Sequence, residues 1–333
     1  MIFYGMRNEQ TISILLPFKN ETRYLEECLT SIVNQSFLRW ELIAIDDEST
    51  DDSFEIATRF ANLDQRIKVY KNLGSGVIDA LKMAHHKSTG AWLSRMDADD
   101  IKTPNNLEQL MAIKGKGVLG IGLVKYFRED GLSEGYARYE VWINEVTKAE
   151  RTWAEVYKEC VVPSPCWVAH YADFERVGGF DSIYYPEDYD LCFRFYKGEL
   201  KVRSTADVIH LWRDHAIRTT RVSEHYLDNR FTALKVKYFA EIDFNSASEL
   251  VLWGAGGRAK TIAKYLNEHK LPFRWITNNS KKMGRDIYGV ILESSDDFCF
   301  INKQCIVGVG DLLGQEEIRN QLGENTGQVF WFC

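Results

Sequence analysis

The carboxylates of Asp97-Ala98-Asp99-Asp100 follow the apolar run Ala91-Trp92-Leu93 and the pair Ser94-Arg95. One small residue separates Asp97 from Asp99. Two carboxylates so spaced at the end of a strand can share a divalent cation. Mg²⁺ and Mn²⁺ are hard ions that take oxygen ligands, often one or two carboxylates completed by phosphate oxygens, and a diphosphate-bearing substrate supplies the latter. An acidic turn also has a plainer use: Asp99 or Asp100 can cap a helix that begins near Lys102-Thr103-Pro104.

Two other acidic stretches carry the same double reading. Asp46-Asp47-Glu48-Ser49-Thr50 closes the apolar run Glu41–Ile45. An aspartate there can accept hydrogen bonds from a pyrimidine N–H or a ribose hydroxyl, or can cap the helix expected from about Asp52 to Ala61. Pro186-Glu187-Asp188 has the form of a helix start, with carboxylates facing the positive helix end. It is also a place where a general base could meet an attacking hydroxyl.

The elements that must position these residues alternate. Strand-like runs at Thr11–Leu16, Glu41–Ile45, Ile67–Tyr70 and Ala91–Leu93 are separated by helical stripes, such as Leu25, Leu29, Ile32 and Val33. This pattern predicts an α/β fold with a parallel sheet. Ligands of such sheets bind beyond the carboxyl ends of the strands, which is where Asp46-Asp47, Gly74-Ser75-Gly76 and Asp97-Ala98-Asp99 fall. Val118–Val124 reads as another strand and Tyr139–Tyr157 as a helix. Trp142, Trp153 and Trp167 read as core aromatics or as platforms for sugar rings.

The character of the chain changes around residues 240–248. A fresh strand, Glu249–Trp253, leads into Gly254-Ala255-Gly256-Gly257-Arg258-Ala259 and a helix to about Glu268. Further strands at Phe273–Ile276, Gln304–Val309 and Gln328–Phe332 and a helix at Gln315–Leu322 complete a second, small Rossmann-like unit. Its glycine turn could cradle a phosphate at a helix N-terminus. The acidic residue that a dinucleotide site places about 20 residues further on is replaced by Thr277-Asn278-Asn279, so a working NAD site is not expected. The domains read as 1–245 and 246–333.

A chain of 333 residues with a formal net charge of −7 accommodates two domains and shows no basic nucleic-acid footprint. The seven cysteines (28, 160, 166, 192, 299, 305 and 333) form no metal-finger spacing and read as reduced thiols. Neither a signal peptide nor a membrane-spanning run is read from the sequence. The expected setting is the cytoplasm, with any membrane-bound substrate met at the inner membrane surface.

The first ~240 positions resemble the inverting family-2 glycosyltransferases of the GT-A fold. The resemblance rests on Ser13-Ile14-Leu15-Leu16-Pro17 with Asn20-Glu21, Ile45–Asp51, Arg95–Ile101, Val177–Asp181, Pro186–Leu191 and Trp212-Arg213-Asp214-His215, in that order. It implies that Asp47 holds the nucleotide base, with Pro17 and Glu21 on the same side, and that Gly76 and Arg95 also serve the donor. Asp97 would contact ribose or metal, Asp99 would ligate Mg²⁺ or Mn²⁺, and His215 would complete the shell. Asp188 would be the catalytic base and Glu187 its neighbour. The implied donor is a nucleotide-diphosphate sugar, a UDP-sugar first. The acceptor would be a glycan or lipid-linked sugar in polysaccharide or glycolipid synthesis. One departure stands out: relatives often carry asparagine after the position of Gly76, where this chain has Asp79-Ala80-Leu81-Lys82. The second unit is similar to the small nucleotide-binding domain of some sugar acyltransferases. Gly254, Gly256, Gly257 and Arg258 would then touch a nucleotide, or the unit would dock or dimerise. The rival reading of the whole is a non-catalytic nucleotide-sugar binder or sensor.

Overall fold

Apolar runs in the first half of the chain become central strands, as expected where a sheet is covered on both faces. In the computed structural model, which describes residues 7–128, 131, 134–181, 184–215, 230–296, 298–323 and 327–333, β1 (Asn8–Phe18), β2 (Trp40–Asp46), β3 (Ile67–Lys71) and β4 (Gly90–Arg95) alternate with α1 (Leu25–Val33), α2 (Ser53–Leu63) and α3 (Val77–Lys87). Every residue of β2 and β4 is buried. The expected stripe of α1 is buried at Leu25, Leu29 and Ile32, joined by Cys28. β1 runs parallel to both β2 and β4, and β2 parallel to β3.

Two compact units divide the chain: residues 1–153 with 161–221, and residues 154–160 with 222–333. The first continues through β5 (Ile101–Lys102), α4 (Asn106–Ile113), β6 (Val118–Phe127), α5 (Glu134–Lys148), β7 (Trp167–His170), α6 (Tyr171–Arg176), α7 (Glu187–Lys197) and β8 (Lys201–Arg213). Its eight-stranded sheet has the order β3-β2-β1-β4-β7-β6-β8-β5. β7 is antiparallel to both neighbours, so the parallel sheet expected from the sequence is one half of a mixed one. The helix expected over 139–157 is α5 instead. It closes where Glu150 takes a left-handed φ of 53° and the Arg151 amide donates back to the Val146 carbonyl at 3.1 Å, a pairing that ends helices. Trp167 is core, stacked on Phe174 at 5.8 Å.

The second unit holds β9 (Glu249–Trp253), β10 (Arg274–Thr277), β11 (Asp286–Ile287), β12 (Val290–Ser294), β13 (Lys303–Val307) and β14 (Gln328–Trp331) in the order β11-β12-β10-β9-β13-β14. Apart from antiparallel β11, these strands are parallel. The parallel set is doubly wound about β9, with helices Gly257–Glu268 and Leu312–Leu322 among its connections. The division comes earlier than a boundary at 245, because helix Arg230–Ile242 belongs to this unit. Phe239 meets Phe330 edge-on at 5.0 Å and Tyr157 stacks on Phe332 at 5.1 Å. The Tyr157 hydroxyl donates to Asp243 at 2.5 Å and Lys235 to the Lys158 carbonyl at 2.8 Å. These contacts draw 154–160 out of the first unit.

Candidate active site

The carboxyl ends of β1, β2, β3 and β4 lie on one edge of the first sheet, and the loops that leave them carry most of the acidic candidates. Pro17 sits near the end of β1. Strand alternation points its missing N–H toward the β4 side, where the β1–β4 pairing has already ended at Leu15 opposite Arg95. A proline there removes no ladder bond. Past β1, the Glu21 amide donates to Ser53 Oγ at 2.7 Å. Burial of the Glu21 carboxyl, followed by repulsion from Asp99, Asp51 and Asp97, raises its pKa to about 8.

Asp47 is buried just after β2. Its Oδ1 accepts from the Gly76 amide at 2.9 Å and from Asn72 Nδ2 at 2.8 Å. Gly76 adopts φ +88°, a left-handed conformation that a side chain strains, and this brings its N–H to Asp47. The Asp79 carboxylate accepts from the Ser75 amide at 3.1 Å. The departure noted in the sequence therefore fastens the Gly74-Ser75-Gly76 loop to the first turn of α3.

The acidic turn after β4 divides its labour. Asp100 is fully buried, accepts from the Arg213 amide at 2.8 Å and pairs with His210 Nε2 at 3.0 Å. It is a structural anchor between the turn and β8, not a helix cap. Asp99 is partly exposed, and His215 Nε2 lies 2.9 Å from its Oδ2. His215, not His210, thus faces Asp99. Asp97 turns instead to Arg95, whose Nε lies 3.1 Å from its Oδ1. Asp97, Asp99 and His215 are accordingly not preassembled, and no three His, Cys, Asp or Glu side chains among the described residues form a ready metal cage. The donor set still suits a divalent cation: carboxylate oxygens and an imidazole, with His215 Nδ1 buried and unbonded. Beneath the turn, Lys102 is buried and donates to the Pro165 carbonyl at 3.2 Å. Burial depresses its pKa.

The other wall is the N-terminus of α7. Glu187 is buried and lies 3.1 Å from Arg95 Nη1. Asp188 Oδ1 accepts from the Tyr189 amide at 2.8 Å, and the residue keeps a partly exposed surface. Loss of solvation first, then repulsion from Glu187, outweighs the attraction of Arg95 and raises the Asp188 pKa to about 7. Two residues went unassigned in the sequence reading: Lys102 and Tyr185. A methyl group placed on Gly76 would come 3.9 Å from the Tyr185 hydroxyl. Burial, then Glu187, Asp79 and Asp47, raises the pKa of that phenol. Its signal in the sequence was adjacency to Pro186-Glu187-Asp188.

In the second unit, Gly254 (φ +120°) turns the chain out of β9, and a side chain there would strike Val309 at 2.8 Å. Gly256 and Gly257 face open space, whereas the Arg258 guanidinium lies against Gly310. Lys282 Nζ donates to the Ala255 carbonyl at 2.6 Å. Asn278 Oδ1 accepts from Trp253 Nε1 at 2.6 Å and Ser295 Oγ at 2.8 Å, so it is engaged inside the unit.

The mixed sheet, with acidic loops on the carboxyl edge of its parallel half, is of the GT-A type. S. aureus TarS, solved with UDP-GlcNAc, shares it at TM-score 0.55 and 17% identity over 78% of this chain and 72% of that one. So does the mannosyltransferase PcManGT from Pyrobaculum calidifontis, solved with GDP-Man and Mn²⁺, at TM-score 0.53 and 18% identity over 70% and 64%. Residues 13–178 match the family described as Glycosyl transferase family 2, nearly all of them in the first unit. The putative glycosyltransferase EpsE of Bacillus subtilis is 33% identical over 127 residues, 36% of this chain and 46% of that protein. The chain spans less than half the length of such curated relatives.

Proposed function

We propose that the protein transfers a sugar from a nucleotide-diphosphate sugar, a UDP-sugar first, to a hydroxyl of a glycan or lipid-linked acceptor, with inversion, in cell-surface glycan synthesis. Asp47 holds the base, flanked by Pro17, Glu21 and the Gly76 loop. Asp97 serves the ribose or the metal. Asp99 and His215, with Asp97, would hold Mg²⁺ or Mn²⁺. The ion would offset the charge of the diphosphate leaving group. Asp188 takes the proton from the acceptor hydroxyl, and Glu187 supports it from the adjoining position. TarS and PcManGT, solved with nucleotide sugars on the same fold, support the donor class. No described helix is long and apolar enough to cross a membrane. We propose that the protein works in the cytoplasm or at the inner membrane surface. In the second unit, the turn of Gly254, Gly256, Gly257 and Arg258 would bind a nucleotide or dock a partner.

The observation that carries this reading is the place of the Asp188 carboxyl at the start of α7, next to Glu187, which Arg95 ties to Asp97; burial, then repulsion from Glu187, raises its pKa to about 7. A general base works best when its pKa lies near the operating pH, and a binding protein has no use for one. In Asp188→Asn, turnover should fall by roughly 10²–10⁴. Donor affinity should hold and the melting temperature should not fall, because asparagine keeps the shape and the acceptor for the Tyr189 amide without the buried charge. Near-normal turnover in that variant would exclude Asp188 as the base.

A further inference from the structure

Arg95 ends β4 and is buried. Its Nε meets Asp97 and its Nη1 meets Glu187, both at 3.1 Å. One planar cation thus joins the acidic loop after β4 to the first residue of α7, across 92 positions of sequence. Asp188 is the next residue. Without Arg95, Asp97, Glu187 and Asp188 would be three carboxylates in mutual repulsion. A guanidinium is rigid and presents its donors in a fixed fork, which a lysine ammonium cannot copy.

We infer that Arg95 is a positioning residue, in place of the donor contact that the family resemblance implies: it fixes the carboxylate that takes the acceptor's proton relative to the loop that holds the donor, without itself binding the donor. The inference rests on the transferase reading above. Its physical basis is that reacting groups must be held close to their productive geometry, since a misplacement of about 1 Å can cost on the order of 10²-fold in rate. Arg95 reaches both sides of that geometry through carboxylates, and a residue acting this way changes turnover more than affinity.

The test is a cycle of Arg95→Lys, Glu187→Gln and the pair together. Nucleoside diphosphate release is followed for the best donor in a panel of UDP- and GDP-sugars, and UDP binding with Mn²⁺ is followed by calorimetry. Each single variant should lose about 10- to 100-fold in kcat, while UDP affinity stays within about threefold. The double variant should be no slower than the slower single, because both break the same link. UDP affinity falling in step with kcat/KM would make Arg95 a donor ligand and overturn the inference, as would losses that multiply in the double variant. If Arg95→Lys does not fold, Glu187→Gln decides alone, since wild-type turnover in it removes the link. Asp188→Asn separates the two levels. Near-normal turnover there defeats the transferase assignment of Asp188, whereas a collapse there with no effect at Arg95 or Glu187 defeats only this inference.

Discussion

The two units place loops at the carboxyl edges of their parallel strands and load those edges in opposite ways. In the first, the edge buries carboxyl groups and then sets like charges beside them. Glu21 is pushed to about 8 and Asp188 to about 7, and Arg95 and Lys102 lie buried among the carboxylates. In the second, the polar groups near the β9 turn are engaged within the unit: Asn278 with Trp253 and Ser295, and Lys282 with the Ala255 carbonyl. Perturbed carboxylates cost stability and persist where they do chemistry. A satisfied amide network instead holds a shape. The difference supports the proposed reaction at the first edge and leaves the second to recognition.

The largest effect expected at the reactive edge is at Asp99. Asp99→Ala should weaken Mn²⁺-dependent binding of UDP by more than about 100-fold, since even loss of an outer-shell partner can cost about 10- to 100-fold in metal affinity. Calorimetry showing the same Mn²⁺-dependent affinity would remove Asp99 from the metal site.

Next is the boundary between the units. A 1–245 fragment keeps helix Arg230–Ile242 and residues 154–160 but loses Phe330 and Phe332, the ring partners of Phe239 and Tyr157. Removing buried aromatic packing costs about 3–5 kcal/mol at a single site. The fragment should therefore expose apolar surface, seen as bound hydrophobic dye, and melt early. A fragment as stable as the full chain would show that these rings do not define the boundary.

The pH dependence follows from Asp188. Its carboxyl is the base only when ionised. Turnover at saturating donor should therefore fall about tenfold per pH unit on the acid side of about 7. The stability sign runs the other way. A carboxyl raised in the folded state contributes stability that is complete below about pH 4 and is lost as pH rises through about 7. Asp188→Asn should flatten that decline in Tm. A pH–turnover profile with its acid limb near 4 would place the base elsewhere.

The smallest effect belongs to the second unit. Asn278→Ala strands Trp253 Nε1 and Ser295 Oγ and should cost about 1–3 kcal/mol of stability, with turnover unchanged at a temperature where the chain stays folded. Lost turnover in a folded variant would tie this unit to the reaction.

Much of this was legible in the sequence because the signals were local. The β2, β4 and β9 strands each hold an unbroken apolar stretch, Leu42–Ile45, Ala91–Leu93 and Leu250–Trp253, and Asp47 and Asp97 stand within two residues of strand ends. What escaped depended on contacts distant in sequence. Asp100 reads like its neighbours until His210 and the Arg213 amide enclose it. β7 and β8 were missed: β7 is a short strand whose partners, β4 and β6, precede it in the chain, and β8 lacks a continuous apolar run. The Arg95–Glu187 pair links residues whose nearness only the fold creates. The helix expected to reach Tyr157 followed the spacing of apolar residues past the left-handed turn at Glu150, which that spacing does not record.

The central claim, that the acidic edge of the first unit turns over a nucleotide sugar, is met most directly by one measurement: release of nucleoside diphosphate from a panel of UDP- and GDP-sugars with Mn²⁺, in the wild-type chain and in Asp188→Asn. The account predicts release from at least one donor by the wild type, and bound but unconverted donor in the variant. A wild type that binds a donor without ever releasing nucleotide, or equal release by both proteins, would contradict it.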